Sequence, residues 1–339
     1  MNSARLAFWV LAFGNATPFI LADSDFTSGV QSYRLVTTAR TWDLAEADAV
    51  AKGGHLVHIN DATENTAVFN AISALVTTTA PDCGGSKCAW IGGKETTEGT
   101  YVWADALTTP FWTGGSGGSA PVGQYQNWGR LASPYGGPEP DNYNGPLGTQ
   151  NRAVLVVEKW PSFAAAGTQI GNASQWNDVN GTNSLFCVIE WTPWQAWQKD
   201  NFTGANLTNP LVSGPAADPD RDGSSNGLEF AFGTNPNVAQ SVRAAYSGST
   251  VTSLGGPSVK PGTAPAHTDA LAVFARRKNF SAEGVAYTVK FSRDLAAWTT
   301  SATIPTVRAD NGTMQVVTVP CPLIGGLPAK FFTVTVTIP

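Results

Sequence analysis

The sequence has few of the residues on which most catalytic and metal-thiolate centres depend. Its 339 residues include only three histidines and four cysteines, with no Cys-x-x-Cys pair. Neither a His-Glu-x-x-His motif nor a phosphate-binding loop occurs. Because general bases are most often histidines, this scarcity argues against an enzyme. Charged residues make up only 13% of the chain and the formal net charge is −5, so nucleic acid is not an expected partner.

Long apolar runs are also missing beyond the amino terminus. Residues 6–22 are mostly apolar, but glycine, asparagine, threonine and proline interrupt them, and a membrane span needs about 20 apolar residues. We therefore predict that residues 1–22 are a signal peptide cleaved near Ala22, with a retained anchor as the alternative. The expected product is a secreted protein without a stable membrane span.

Cysteine pairing is open in such an oxidising compartment. Cys83 and Cys88 flank a short Gly-Gly-Ser-Lys loop that could close into a local disulfide. Cys187 and Cys321 are interpreted as buried thiols.

Glycine, proline and aromatic residues are abundant, with 35 glycines, 22 prolines and 10% aromatic residues. This composition favours short strands and turns, and the length suggests about two domains at roughly 150 residues each. In the first half we predict a helix over 41–52, a strand over 55–59, and a second helix that begins with a capping box at 61–64. Buried strands are predicted over 153–158 and 185–191, after a long loop that runs to about residue 148.

The second half is expected to fold separately. Residues 193–240 are polar and contain several prolines, so we predict a linker there. Apolar or alternating runs at 270–275, 286–292, 314–319 and 331–338 predict an all-β sandwich over 265–339.

Oxygen-bearing side chains cluster around the long loop. Glu139 and Asp141 flank Pro140, and a cis peptide bond there would aim both side chains the same way. Asn151 precedes one predicted strand, and Asn177 and Asp178 lie shortly before the next. Calcium takes roughly six to eight oxygen ligands, so this set predicts a calcium site.

Residues 33–191 resemble the C-type lectin-like domain. The resemblance is carried, in family order, by Trp42, Gly53-Gly54-His55-Leu56, Glu64, Trp90-Ile91-Gly92, Trp103, Trp128, Glu139-Pro140-Asp141, Trp176-Asn177-Asp178 and Val188-Ile189-Glu190. It implies an α+β domain over 30–192 with two helices, two small antiparallel sheets and a long loop region. It also implies a lectin, in which vicinal sugar hydroxyls complete the coordination of a calcium ion.

By this resemblance the calcium ligands are Glu139, Asp141, Asn177 and Asp178. Asn151 stands where the family usually has Glu. The implied partner is a carbohydrate or glycoconjugate, with cell-surface or matrix proteins as further possibilities.

The sequence departs from the family at the loop that selects the sugar. Mannose-type members have Glu-Pro-Asn and galactose-type members have Gln-Pro-Asp, whereas this chain has Glu-Pro-Asp, so the sugar type stays open. Asp141 accepts hydrogen bonds but does not donate them, and Asn142 is the predicted replacement donor. Trp128, with Trp112 and Trp160, either stacks on the sugar or belongs to the core.

The cysteine pattern departs as well. The disulfide that joins the first helix to the last strand is missing, and its positions correspond to Ala49 and Ile189, which we expect to pack together. Another disulfide is also missing, near Ala153 and Gly181. These departures leave an alternative function open: a calcium-stabilised structural, protein-binding or adhesion module without sugar binding.

A second calcium motif lies in the linker, over 218–229. Oxygen-bearing side chains occupy positions 1, 3, 5, 9 and 12 of an EF-hand-like loop, with glycine at position 6. These residues are Asp218, Asp220, Asp222, Asn226 and Glu229. The loop is similar to the aspartate-rich calcium loops that join domains in large secreted bacterial proteins, and the final domain is similar to the β-sandwich modules that end them. The alternative is an acidic turn with a capping box.

Overall fold

The computed structural model describes residues 21–143, 149–261 and 270–339. Most of the predicted signal peptide and the start of the predicted β domain at 265 lie outside these ranges. Within them, no helix is both long and apolar enough to cross a membrane.

The described residues form helices and strands in two successive groups. The helices are α1 (Trp42–Ala51), α2 (Ala62–Ile72), α3 (Pro193–Asn201), α4 (Pro210–Ser213) and α5 (Asn226–Phe232). The strands of the first group are β1 (Ser24–Ser28), β2 (Gln31–Arg40), β3 (His55–Leu56), β4 (Cys88–Thr97), β5 (Thr100–Trp103), β6 (Ala106–Thr113), β7 (Arg152–Val156), β8 (Trp176–Val179) and β9 (Leu185–Trp191). Those of the second group are β10 (Ala245–Ser247), β11 (Thr250–Ser253), β12 (Ser258–Lys260), β13 (Leu271–Arg277), β14 (Ala286–Ser292), β15 (Trp298–Thr300), β16 (Thr306–Asp310), β17 (Met314–Pro320), β18 (Leu323–Ile324), β19 (Leu327–Pro328) and β20 (Phe331–Thr337).

The strands of the first group hydrogen-bond into one sheet, not the two separate sheets expected. The main path is β1-β2-β9-β4-β5-β6, with β7 between β4 and β8, and β3 beside β9. The reason lies in β4, whose first half pairs with β7 on one side and runs parallel to β9 on the other. Its second half continues into the hairpin with β5. One strand therefore joins both expected sheets.

The two predicted helices form where the sequence places them. At α2 the Asp61 side chain accepts hydrogen bonds from the amides of Thr63 (2.7 Å) and Glu64 (2.9 Å), as in the predicted cap. Glu64 does not close the box on Asp61, because its Oε1 accepts the Tyr33 hydroxyl at 2.6 Å and its Oε2 accepts the amide of Asn60 at 2.7 Å. The second helix is thereby tied to β2.

Apolar packing replaces the missing family disulfide. Ala49 of α1 and Ile189 of β9 are fully buried in the same core cluster, which agrees with the predicted packing. The four cysteines are free thiols, so the possible bridge between Cys83 and Cys88 is not formed. Both thiols are buried, and burial raises the pKa of Cys83, which disfavours the thiolate needed for exchange. Cys187 is buried as predicted, but Cys321 is only half-buried.

A buried asparagine fixes the strand that carries the Trp-Asn-Asp motif. Asn65 of α2 accepts the indole N–H of Trp176 at 2.8 Å and donates to the carbonyl of Ser174 at 3.0 Å. These bonds tie the start of β8 to the helix, so that Asn177 and Asp178 enter the site from a rigid support.

Glu190 is a buried acid on β9. Its side chain accepts the amide of His58 at 2.9 Å, and burial together with repulsion from Glu64 raises its pKa to about 8. Folding raises this pKa. The contribution of Glu190 to stability is therefore fully present below the unfolded pKa of about 4.3 and is lost as the pH rises through 8.

We therefore predict that Glu190→Gln stabilises the protein at pH 8 relative to pH 5. The gain in unfolding free energy at pH 8 should exceed that at pH 5 by at least about 1.4 kcal/mol, the equivalent of one pKa unit. Denaturant unfolding at the two pH values measures it. Glu158→Gln, at a more exposed acid, is the control, and an equal effect of Glu190→Gln at both pH values would contradict the prediction.

The second half agrees with the predicted all-β unit. One sheet has the order β12-β13-β17-β16 and another has the order β15-β14-β20. Phe274 and Val317 of the first sheet share a core cluster with Phe291 and Val334 of the second. The predicted linker, however, contains three short helices. The first is set by a capping box in which Thr192 and Gln195 exchange hydrogen bonds, with Pro193 in the first helical turn.

Candidate cation and ligand site

The long loop and β8 bring three carboxylates together. Glu139, Asp141 and Asp178 each offer an oxygen, and these oxygens lie within 4.8 Å of one another. The Glu139–Pro140 peptide bond is cis, as the motif suggested. Glu139 and Asp178 are buried, whereas Asp141 is half-buried and reaches the surface.

Asp178 holds the loop in position. Its Oδ1 accepts the amide of Asp141 at 3.2 Å, and its Oδ2 accepts the amide of Asn142 at 3.1 Å. The hydroxyl of Tyr101 donates to the same Oδ2 at 3.1 Å. The strand residue is therefore both a candidate ligand and the anchor for the loop ligands.

Glu139 is held from the other side. Trp160 Nε1 donates to Glu139 Oε1 at 3.3 Å, and Arg130 Nη1 donates to the carbonyl of Glu139 at 2.8 Å. The Arg130 guanidinium lies 5.0 Å from the Trp112 ring centroid, which limits its movement.

The electrostatics of the cluster favour a bound cation. Burial, with repulsion by Asp178 and Asp141, raises the pKa of Glu139. Burial raises the pKa of Asp178 to about 7, and also raises the pKa of Asp141. Carboxylates this close do not all ionise without protons or a cation to compensate their charges.

The donor set fits calcium. Asn177 is 2% exposed, and its Oδ1 is buried without a hydrogen-bond partner among the described residues. Asn177 borders the same cavity as Glu139 and Asp141. Hard cations such as calcium prefer oxygen ligand atoms, here from carboxylates and an amide, to nitrogen or sulfur ligand atoms.

Two cavities of different character meet at Asp141. The first, of about 320 Å³, has acidic walls that include Glu95, Glu98 and Asp178. The second, of about 460 Å³, has aromatic walls that include Tyr135, Tyr143 and Phe163. The sequence interpretation missed Glu95 and Glu98, although the turn signal at Glu98-Gly99 indicated a hairpin tip there.

Asn151 does not border either cavity within the described part of the chain. A Cβ atom added at Gly181 would lie 3.4 Å from Asn151 Oδ1, so this side chain points towards Gly181. Its neighbour Gln150 borders the aromatic cavity, accepts the amide of Tyr143 at 2.8 Å, and donates to the carbonyl of Asp82 at 2.9 Å. Successive side chains of an extended segment face opposite sides, which explains why Gln150 borders the cavity and Asn151 does not.

Asn142, the predicted sugar donor, already uses its amide group. Its Nδ2 donates to both carboxylate oxygens of Glu98 at 2.9 Å, and its Oδ1 accepts the amide of Gln150 at 3.1 Å. Asn142 therefore closes the loop in this structure.

Of the two alternatives for Trp128, stacking on a sugar is wrong, because the side chain is only 2% exposed. Its ring packs edge-on against Trp176, with centroids 5.9 Å apart, and it belongs to the core. Trp112 and Trp160 are buried too. The exposed aromatic side chains at the site are instead those of Tyr135, Tyr143 and Phe163.

Comparison with known proteins supports a C-type lectin-like domain over about half of the chain. No family model matches. Ladderlectin of Oncorhynchus mykiss is 28% identical over 160 residues, which cover 47% of this chain and 62% of ladderlectin. The type-2 ice-structuring protein of Brachyopsis segaliensis is 38% identical over 74 residues, covering 22% of this chain and 41% of that protein. The chain thus spans less than two thirds of either relative.

Among solved structures, the carbohydrate-recognition domain of the mouse scavenger receptor C-type lectin is similar at 19% identity. The match covers 49% of this chain and 94% of that domain, with a TM-score of 0.32.

Proposed function

We propose that the protein is a secreted, calcium-dependent lectin whose ion is held by Glu139, Asp141, Asn177 and Asp178. The observation that carries this proposal is the set of three converging carboxylates beside a buried amide oxygen that has no hydrogen-bond partner in the described part of the chain. A bound calcium ion would compensate the carboxylate charges and offer open coordination positions to vicinal hydroxyls of a sugar.

The surrounding residues favour one class of sugar over another. Asp141 accepts hydrogen bonds only, and the amide of Asn142 is bound to Glu98, so the site is rich in acceptors and poor in donors. Sugar hydroxyls must therefore act as donors. Because Glu95 and Glu98 also line the acidic cavity, we expect neutral glycans to bind better than sulfated or sialylated ones.

An alternative function keeps the cation without the sugar. The ice-structuring relative and the acceptor-only loop favour a calcium-stabilised structural, protein-binding or adhesion module. In that case calcium would stabilise the loop through the same ligands, but no glycan would bind.

A glycan array distinguishes these functions. The full chain, lacking only the predicted signal peptide, is applied with calcium and with EDTA. Binding to neutral glycans that is lost in EDTA supports the lectin. The absence of glycan binding, together with a calcium-dependent rise in melting temperature that Asp178→Asn reduces, would support the structural alternative. An assay for sugar release on the bound glycans tests for hydrolysis, which we do not expect.

A further inference from the structure

The acidic loop over 218–229 is organised around three aspartates. The carboxylates of Asp218, Asp220 and Asp222 each offer an oxygen within 4.8 Å of the others. Backbone amides of Arg221 (2.8 Å) and Gly223 (3.0 Å) donate to the two oxygens of Asp218. These bonds fold the loop so that like charges converge.

A buried glutamate adds an independent observation. Glu229 is 0% exposed, and its Oε2 has no hydrogen-bond partner within the described ranges, while its Oε1 accepts the hydroxyl of Thr234 at 3.1 Å. Burial raises the pKa of Glu229 to about 7, and repulsion by the three aspartates, which lie near enough to act on its charge, adds to this shift. Asp220 Oδ2 is also buried and has no partner among the residues that the structure describes.

The alternative of a simple acidic turn with a capping box is not seen. The N-cap of α5 is Ser225, and its side chain makes no capping hydrogen bond. Glu229 is therefore not engaged in a box, and among the described residues its Oε2 is left without a hydrogen-bond partner.

We propose that this loop binds one calcium ion through Asp218, Asp220, Asp222 and Glu229, and that the ion fastens the junction between the two halves of the chain. The donors are all oxygens, and Gly223 supplies the left-handed turn (φ 90°) that the sixth position of such a loop requires. This site is separate from the lectin site and does not depend on it.

The helix that carries Glu229 explains the effect on the junction. Phe230 packs edge-on against Trp194 and Trp197 of α3, with centroids 5.2 and 5.8 Å apart. Phe232 lies in the core of the second half, and the hydroxyl of Tyr287 donates to the carbonyl of Ala231 at 2.6 Å. Calcium on Glu229 thus stabilises the helix that joins α3 of the linker to the core of the second half, and its removal leaves a buried, uncompensated carboxylate there.

Calorimetric titration of the full chain with calcium tests the site, in an Asp178→Asn background that disables the lectin site. We expect one calcium ion to be retained. Glu229→Gln and Asp220→Asn should each weaken its affinity by roughly tenfold or more. Asp200→Asn, at an exposed acid paired with Lys199, is the matched control and should leave the affinity unchanged.

Melting temperature provides a second readout that separates ligation from misfolding. In EDTA, Glu229→Gln should be at least as stable as the parent, because the amide removes a buried charge. In calcium, it should lack the stabilisation that the parent gains. The proposal is overturned if the Asp178→Asn chain binds no calcium, or if both loop variants retain the parental affinity and stabilisation.

Discussion

Asp178→Asn is expected to abolish calcium-dependent glycan binding and to weaken calcium at the lectin site on the order of 100-fold. The substitution keeps the size of the side chain but removes its charge and one of its two acceptor oxygens. Those oxygens accept the amides of Asp141 and Asn142 and are offered to the ion. Both a ligand and the loop anchor are therefore weakened at once. Calcium titration and the glycan array measure the two losses.

The melting temperature of Asp178→Asn in EDTA distinguishes a loss of binding from a failure to fold. Burial raises the pKa of Asp178 to about 7, so the cation-free protein carries an unfavourable buried acid. Replacing it with an amide should leave the cation-free melting temperature unchanged or higher. Asp200→Asn controls for the loss of one acidic charge and should bind glycans as the parent does. Parental glycan affinity in Asp178→Asn would contradict the proposed site.

Local patterns in the sequence predicted the parts of this site that depend on local geometry. The Glu-Pro-Asp motif constrains two side chains across one proline, and Trp-Asn-Asp lies in a short buried strand. Each motif is recognisable from neighbouring residues in the chain, whereas the convergence of the two depends on tertiary contacts such as those of Asp178 with the loop amides. The strand Leu185–Trp191 also forms over the residues predicted for it, because its apolar run is flanked by polar turns.

The parts of the site that the sequence did not predict depend on how distant segments of the chain pack together. Whether Gln150 or Asn151 faces the cavity is decided by a single-residue register, which a sequence pattern does not specify. Glu98 reaches the site because the hairpin of β4 and β5 turns towards the loop. Tryptophan is a residue type that commonly stacks on sugars. Trp128 is buried instead because it packs on Trp176, which lies 48 positions later in the chain.

Trp160, in the wall of the site, is held in place by close contacts with glycine residues. One edge of its indole lies against two glycine backbones, and the side chain is 1% exposed. A Cβ atom added at Gly171 would lie 2.0 Å from Trp160 Cη2, and one added at Gly129 would lie 2.2 Å from Cζ2. Neither contact can be relieved by a flexible side chain, because at each glycine the added atom meets a buried ring.

Gly171→Ala is therefore expected to lower the free energy of unfolding by roughly 3 kcal/mol, at the upper end of typical overpacking effects. Calcium affinity at the lectin site should fall as well, because a displaced Trp160 no longer donates to Glu139 Oε1. Denaturant unfolding and calcium titration measure these effects. Gly117→Ala is the matched control, since nothing lies within 4 Å of its added Cβ. If both variants unfold at the same denaturant concentration, the ring is not confined by the glycines, and Glu139 must be positioned by Arg130 and the loop alone.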